Sequence, residues 1–272
     1  MSAPLALITG ASSGIGRAFA ERLGADGTGL ILVGRRRDRL EAVAASVPGG
    51  PARVVIADLA ADEGIDAVAG LCATEPLTML VNNAGVAHYM PLAELPAAKA
   101  RELAHVKSVA PPMLTRAALR GMISRGAGTI VNIAGMLAFS GPEPAVQARG
   151  QRALYSGTLA GTVAFTQVLA AELNGSGVSA HVVCPGIVAT EFHEVQGMDL
   201  SAVPRMAAPD VVTAALAGIA RHEVVIAPGL EDAGLLDAVF AADSAAFHGQ
   251  GTQLATRYRP APAATASAGH PA

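Results

Sequence analysis

The segment Thr9-Gly10-Ala11-Ser12-Ser13-Gly14-Ile15-Gly16 sets three glycines in the pattern G-x-x-x-G-x-G, directly after the apolar run Leu5-Ala6-Leu7-Ile8. Residues Arg17 to Leu23 then read as a helix. A buried strand that turns on glycines into a helix N-terminus makes an anion site. The glycines let the main chain come close to a pyrophosphate, and the unpaired N–H groups of the first helical turn point at it. The spacing is neither the G-x-G-x-x-G fingerprint nor a P-loop, which needs Gly-Lys-Ser/Thr. The plainer alternative is a tight strand-to-helix turn with glycine for geometry alone.

Such a turn needs a sheet to carry it. Further strands are expected over 29–33, 53–57, 77–81, 128–133, 178–183 and 223–227. Helices are expected over 38–46, 64–73, 96–120, 152–173 and 209–221. Pro111-Pro112 should kink or break the third of these helices. Strands alternating with helices argue for an α/β fold with right-handed crossovers, a doubly wound parallel sheet of about seven strands covered on both faces. Ligands of such sheets sit outside the carboxyl ends of the strands, where the strand order reverses. Gly10 to Gly16, Arg35, Asp58, Asn82 to Gly85, Ala134-Gly135 and Pro185-Gly186 all fall at those ends.

The 272 residues suit one large domain, read as 1–258, followed by a Pro/Ala-rich, disordered tail over 259–272. Hydrophobic residues make up 51% and charged residues 15%, enough for a sizeable core. A net charge of −3 gives nucleic acid no foothold. Cys72 and Cys184 supply neither a disulfide framework nor a metal cluster. No charged leader precedes an apolar segment and no apolar run reaches membrane-spanning length, so a cytoplasmic protein without a membrane partner is expected.

Together these stretches resemble the short-chain dehydrogenase/reductase family, over roughly residues 4 to 230. Thr9 to Gly16 looks like its cofactor turn and Asn82-Asn83-Ala84-Gly85 like its second fingerprint. Tyr155 stands where its catalytic tyrosine would, and Pro185-Gly186-Ile187-Val188-Ala189-Thr190 looks like the segment that closes over the nicotinamide. The resemblance implies a single-domain Rossmann-type fold, a nicotinamide cofactor and a small-molecule substrate. It also implies a homodimer or homotetramer paired through the helices near 96–120 and 152–173.

An NAD site uses an acid at the end of strand two to bind the ribose 2′-hydroxyl. Here Gly34 and Arg35 stand there, and arginine forks at Arg35 and Arg36 match a 2′-phosphate with no carboxylate to repel it. NADP(H) is therefore favoured. By the same resemblance Ser12, Ser13, Gly14, Ile15 and Gly16 cradle the phosphates. Asp58 and Leu59 flank the adenine, and Asn83, Ala84 and Gly85 line the ribose. Tyr155, Pro185, Gly186, Ile187, Val188 and Thr190 meet the nicotinamide half. Asn82 reads as a buried amide tying neighbouring strands.

The chemistry of the family uses Asn, Ser, Tyr and Lys, and only Tyr155 matches. The lysine position is Leu159, the serine position is Gly135 and the asparagine position is Lys107. A free tyrosine has a pKa of about 10 and is a poor base at neutral pH without a nearby cation. Lys99 and Lys107 are the only lysines. Lys107 is therefore the candidate to bring an ammonium near Tyr155, the alternative being a side chain that snorkels to solvent. His88 is read as a loop surface histidine with a substrate-side role as the alternative, and Ser140 as an ordinary loop residue. His193 is read as part of the substrate flap. Tyr89, Met136, Leu137 and Phe192 would line an apolar pocket or serve as core. Glu231 and Asp232 read as solvated turn residues. Three functions follow: an NADP(H)-dependent oxidoreductase with an atypical site, a non-redox cyclase, isomerase or lyase on this scaffold, or a catalytically silent dinucleotide-binding protein.

Overall fold

In a computed structural model, which describes residues 3–48, 52–141 and 152–259, seven parallel strands form one sheet. Strands β1 (Leu5–Thr9), β2 (Gly29–Gly34), β3 (Ala52–Ile56) and β4 (Met79–Asn82) alternate with helices α1 (Gly14–Ala25), α2 (Arg37–Ser46) and α3 (Asp62–Thr74). Helix α4 (Ala97–Ala104) runs through a π turn at His105–Val109 into α5 (Ala110–Arg125). Strand β5 (Gly128–Ile133), α6 (Ala153–Glu172) and β6 (Val178–Val183) follow. The strap after β6 carries β7 (Val188–Ala189), the short α7 (Phe192–Val195) and β8 (Met206–Ala207). Helix α8 (Ala208–Ala220) and β9 (Val225–Ile226) complete this part.

The sheet order is β3-β2-β1-β4-β5-β6-β9, and β7 pairs separately with β8. The chain winds outward from β1 to β3, then returns to the other side of β1 with β4. The order therefore reverses between β1 and β4, which opens a crevice at their carboxyl ends. Gly10 and Asn83 are the residues that leave those two strands.

The strands read as continuous apolar runs because both faces of the sheet are covered. Phe19 and Leu23 of α1, Leu40 and Val43 of α2 and Val211 and Ala215 of α8 pack on one face. Ile65 and Val68 of α3, Leu114 and Met122 of α5 and Leu169 of α6 pack on the other. The predicted strands lie within two residues of those observed, save for the last, which is confined to Val225–Ile226.

Two features differ from the sequence reading. The expected break at Pro111-Pro112 takes the form of the preceding π turn, in which Ala110 N–H bonds the carbonyl of His105. The prolines have no N–H to offer the carbonyls of residues 107 and 108, so the ladder shifts register just before them. The chain forms two compact units, residues 1–229 and 230–272. The second unit contains a helix the sequence reading did not include, α9 (Gly234–His248). Of the tail read over 259–272, residues 260–272 lie outside the described part.

Candidate active site and cofactor cleft

The glycine turn is built for close main-chain packing. Gly10 (φ +66°) and Gly14 (φ +55°) lie in the left-handed region. A Cβ on Gly10 would stand 2.8 Å from Ala84 Cα, and one on Gly16 would stand 2.5 Å from the Gly10 carbonyl oxygen. Thr9 Oγ1 receives the N–H groups of Asn83 and Ala84, each at 3.0 Å, and locks the second fingerprint to the first. The Asn83 side chain donates to the carbonyls of Thr9 (3.0 Å) and Gly10 (3.3 Å) and holds the turn. Ser13 precedes α1 without a side-chain cap, so the N–H groups opening at Gly14 and Ile15 remain available to an anion. These features fit a dinucleotide pyrophosphate.

At the end of β2 the arginines are paired. Arg35 lies 3.2 Å from Glu102 and 3.9 Å from Asp58. The second oxygen of Glu102 lies 3.2 Å from His88 Nε2. Arg36 donates to Ser12 Oγ and Ser13 Oγ, each at 2.8 Å, and pairs with Glu191. Arg39 also pairs with Glu191. The sequence reading, in which no carboxylate faces these arginines, is corrected here. Glu102 and Glu191 come from α4 and from the strap, far from the arginines in the chain, and nothing local announces them. Partial burial raises the Glu191 carboxyl, but hydrogen bonds from Arg39, Arg36 and Ser13, with the Arg36 charge, outweigh it and hold the pKa at about 2. His88 is corrected as well: its side chain is 11% exposed and held by Glu102.

The strap crosses above this cleft. Pro185 accepts a main-chain bond from Met136, and Ile187 one from Met206. Val188 is buried, while Ile187 is exposed. The Thr190 methyl would lie 3.0 Å from a Cβ on Gly14, and Thr190 Oγ1 accepts the N–H of Phe192 at 3.3 Å. Leu59, expected beside the adenine, is buried in the core of the α3 face, and Asp58 caps its own turn at Ala60 N.

The other end of the cleft is apolar. Tyr155, in the first turn of α6, is buried in a cluster with Leu159, Ala134 and Cys184. Its ring meets Tyr89 edge-on at 5.6 Å and Phe192 at 6.4 Å. His193 meets Phe192 edge-on at 5.4 Å, and its buried Nδ1 has no hydrogen-bond partner among the described residues. Burial, reinforced by Tyr89, pushes the Tyr155 phenol above its ordinary pKa. A ladder of hydroxyls fixes the helix beneath it. Thr158 bonds the Tyr155 carbonyl, Thr162 bonds that of Thr158 and Thr166 that of Thr162. Asn132 reaches Thr166 at 2.9 Å, and Asn82 reaches Asn132 at 2.9 Å, the strand-tying role expected of it.

Gly135 and Leu159 face one another: a Cβ on Gly135 would stand 3.6 Å from Leu159 Cδ1. Lys107 is carried inward on the π turn and is buried. Its ammonium donates to the Ile133 carbonyl at 3.3 Å, and its end lies 2.8 Å from a Cβ position on Gly85. It does not snorkel to solvent, and its hydrogen bond goes to β5 rather than to the Tyr155 hydroxyl. Burial lowers its pKa from 10.5 to about 8. Ser140 bonds the Leu137 carbonyl within its own loop. Among the described residues no cluster of His, Cys, Asp and Glu suits a metal, and no helix is long and apolar enough to cross a membrane.

The crevice, the glycine turn and the tyrosine opening α6 together define an oxidoreductase fold of one family. The chain matches the family model for short chain dehydrogenase over residues 4–200 and belongs to that family. The 3-oxoacyl-(acyl-carrier-protein) reductase of Aquifex aeolicus is 32% identical over 198 residues, 70% of this chain and 76% of that protein. A short chain dehydrogenase of Pseudocercospora fijiensis is 32% identical over 196 residues, 69% of this chain, and the match spans only 60% of that longer protein. A short-chain dehydrogenase from Sphingobium yanoikuyae in complex with NADPH superposes with a TM-score of 0.88 at 32% identity, covering 94% of this chain and all of that one.

Proposed function

We propose that the chain is an NADP(H)-dependent oxidoreductase that reduces a small carbonyl substrate, with Tyr155 donating the proton to the substrate oxygen. The observation that carries this reading is the glycine turn with Arg36 gathered onto Ser12 and Ser13 at its rim. Gly10, Gly14, Gly16 and the start of α1 would hold the pyrophosphate, and Arg36, with Ser12 and Ser13, the 2′-phosphate. The bound dinucleotide supplies the hydride.

The chain's own residues favour one direction. A phenol whose pKa is raised keeps its proton through the neutral range, so Tyr155 is suited to give a proton to a carbonyl oxygen. Gly135 and Leu159 stand where the family has serine and lysine, so no hydroxyl at 135 holds that oxygen and no ammonium at 159 lowers the phenol. Lys107 fits a positioning residue, stiffening the wall formed by Gly85 and Ile133. Tyr89, Met136, Leu137 and Phe192 suit an apolar substrate body. Self-association through α5 and α6 is supported by exposed Met113, Ile123 and Val168 on them.

The test is a fluorescence titration with NADPH followed by NADPH oxidation over a panel of aryl and alkyl ketones. Tyr155→Phe should lower turnover at least about hundredfold and leave the NADPH dissociation constant unchanged. The apolar contact between residues 135 and 159 favours a second reading, a non-redox enzyme that binds the dinucleotide without using it. NADPH binding with conversion of a substrate and no absorbance change would select it. Binding with no conversion at all would select the catalytically silent protein.

A further inference from the structure

The Glu191 carboxylate sits where a phosphate would be received. It pairs with Arg36 and Arg39 and accepts from the Ser13 hydroxyl, while Arg36 also donates to Ser12 and Ser13. Two guanidinium groups and two hydroxyls at the entry to α1 make an oxyanion receptor, and an internal anion already occupies it. That anion belongs to the strap, not to the strand–helix units that form the cleft. A cleft of about 460 Å³ opens beside it, bounded by Ser12, Ser13, Gly14, Arg39 and Glu191 among others. The carboxylate therefore has somewhere to go, and an incoming anion has an approach.

We propose that Glu191 is a specificity-determining residue, an internal competitor for the seat of the dinucleotide 2′-phosphate that is displaced when NADP(H) binds. This rests on the NADP(H) reading above. A phosphate outbids one carboxylate because it carries more charge and more acceptor oxygens, whereas a dinucleotide without that phosphate leaves the latch shut. Release also reaches the substrate side. Glu191 is followed directly by Phe192 and His193, whose rings stand 6.4 Å from those of Tyr155 and Tyr89 respectively. Occupancy of the phosphate seat thus frees the aromatic wall over the tyrosine.

Competition lowers the apparent affinity for the phosphate by the fraction of molecules whose seat is open. The ion pairs are partly exposed, so the expected factor is modest, about fivefold to tenfold. The experiment is calorimetric titration of the full chain and of Glu191→Gln with adenosine 2′,5′-bisphosphate, and with AMP, which lacks the 2′-phosphate. Glu191→Gln should bind the bisphosphate by that factor more tightly and AMP equally well. Glu191→Ala should repeat both results. Bisphosphate binding that is equal or weaker in the variants, or an equal gain for AMP, overturns the competitor role and leaves the NADP(H) reading standing. If neither nucleotide nor NADPH binds the wild-type chain, the cofactor reading fails and the competitor role fails with it.

Discussion

The two ends of the cleft are held by opposite physics. At the phosphate end, Arg35, Arg36 and Arg39 are ringed by Glu102, Asp58, Glu191 and two serine hydroxyls, all partly exposed. At the tyrosine end, Tyr155 lies among Leu159, Ala134 and aromatic rings, and the buried Lys107 ammonium is turned into a strand carbonyl. Charges in the first region can exchange partners at little cost because water screens them. Groups in the second can change charge only against a desolvation penalty. The cleft thus sets a partly exposed charged cluster at one end against a buried apolar cluster at the other. The ladder from Asn82 through Asn132 to Thr166, Thr162 and Thr158 links β4 and β5 to α6. It ties the main chain of the helix turn that carries Tyr155 to the sheet.

The harshest way to break the comparison is to spoil the phosphate end alone. Gly16→Ala places a Cβ 2.5 Å from the Gly10 carbonyl oxygen and against the Asn83 amide, both fixed by the turn's own hydrogen bonds. Main chain cannot step aside as a flexible side chain can. NADPH binding should weaken by more than about hundredfold in a fluorescence titration, while the aromatic cluster around Tyr155 stays intact by near-ultraviolet circular dichroism. Loss of both signals together would show that the two ends are not separable.

A smaller effect tests the chemical end. Gly135→Ser meets only ordinary contacts, 3.5 Å to the Pro185 carbonyl and 3.6 Å to Leu159 Cδ1, and the Gly135 backbone is extended (φ 172°), which any residue adopts. Combined with Leu159→Lys it supplies the hydroxyl and the ammonium that the family resemblance implies. Ketone reduction should rise by about hundredfold with NADPH affinity unchanged, and the alkaline limb of its pH profile should move to lower pH as the new cation draws the phenol down. If turnover stays flat, the apolar pair is not what limits Tyr155, and the non-redox reading gains.

The sheet, the crevice and the glycine turn were legible because each is written locally. Apolar runs mark buried strands, and Gly10, Gly14 and Gly16 mark a turn that needs bare main chain. Tyr155 was legible only through resemblance. What escaped the sequence reading depends on residues meeting from afar. Glu191 lies 155 positions from Arg36 and Glu102 lies 67 from Arg35, so the neutralised arginines left no pattern in the chain. The direction of Lys107 escaped for a different reason. A π turn adds one residue to a helical turn, and which way a side chain points depends on where that addition falls. Pro111-Pro112 signalled a disturbance but not its location. Helix α9 carries Leu235, Val239 and Phe247 as exposed apolar residues in an alanine-rich run, a pattern with no strong helical stripe to detect.

The smallest of these effects is a stability difference, and it sharpens the contrast most directly. Lys107 is buried with one long hydrogen bond, and burial brings its pKa from 10.5 down to about 8. Below the folded pKa the ammonium is charged in both folded and unfolded chains, so the full cost of burying it is present and stability does not change with pH on its account. Between the folded and unfolded values the folded chain has lost the proton and the unfolded chain still holds it, so stability rises with pH. The rise is at most roughly 3 kcal/mol, complete near the unfolded pKa. Lys107→Met removes both the cost and the slope. Urea unfolding across the alkaline range should show the wild-type chain gaining stability relative to Lys107→Met as pH climbs, with the variant the more stable at neutral pH by up to a few kcal/mol. Parallel curves for the two proteins would mean that the ammonium is compensated by partners in solution. The chemical end of the cleft would then be less averse to charge than its apolar walls imply.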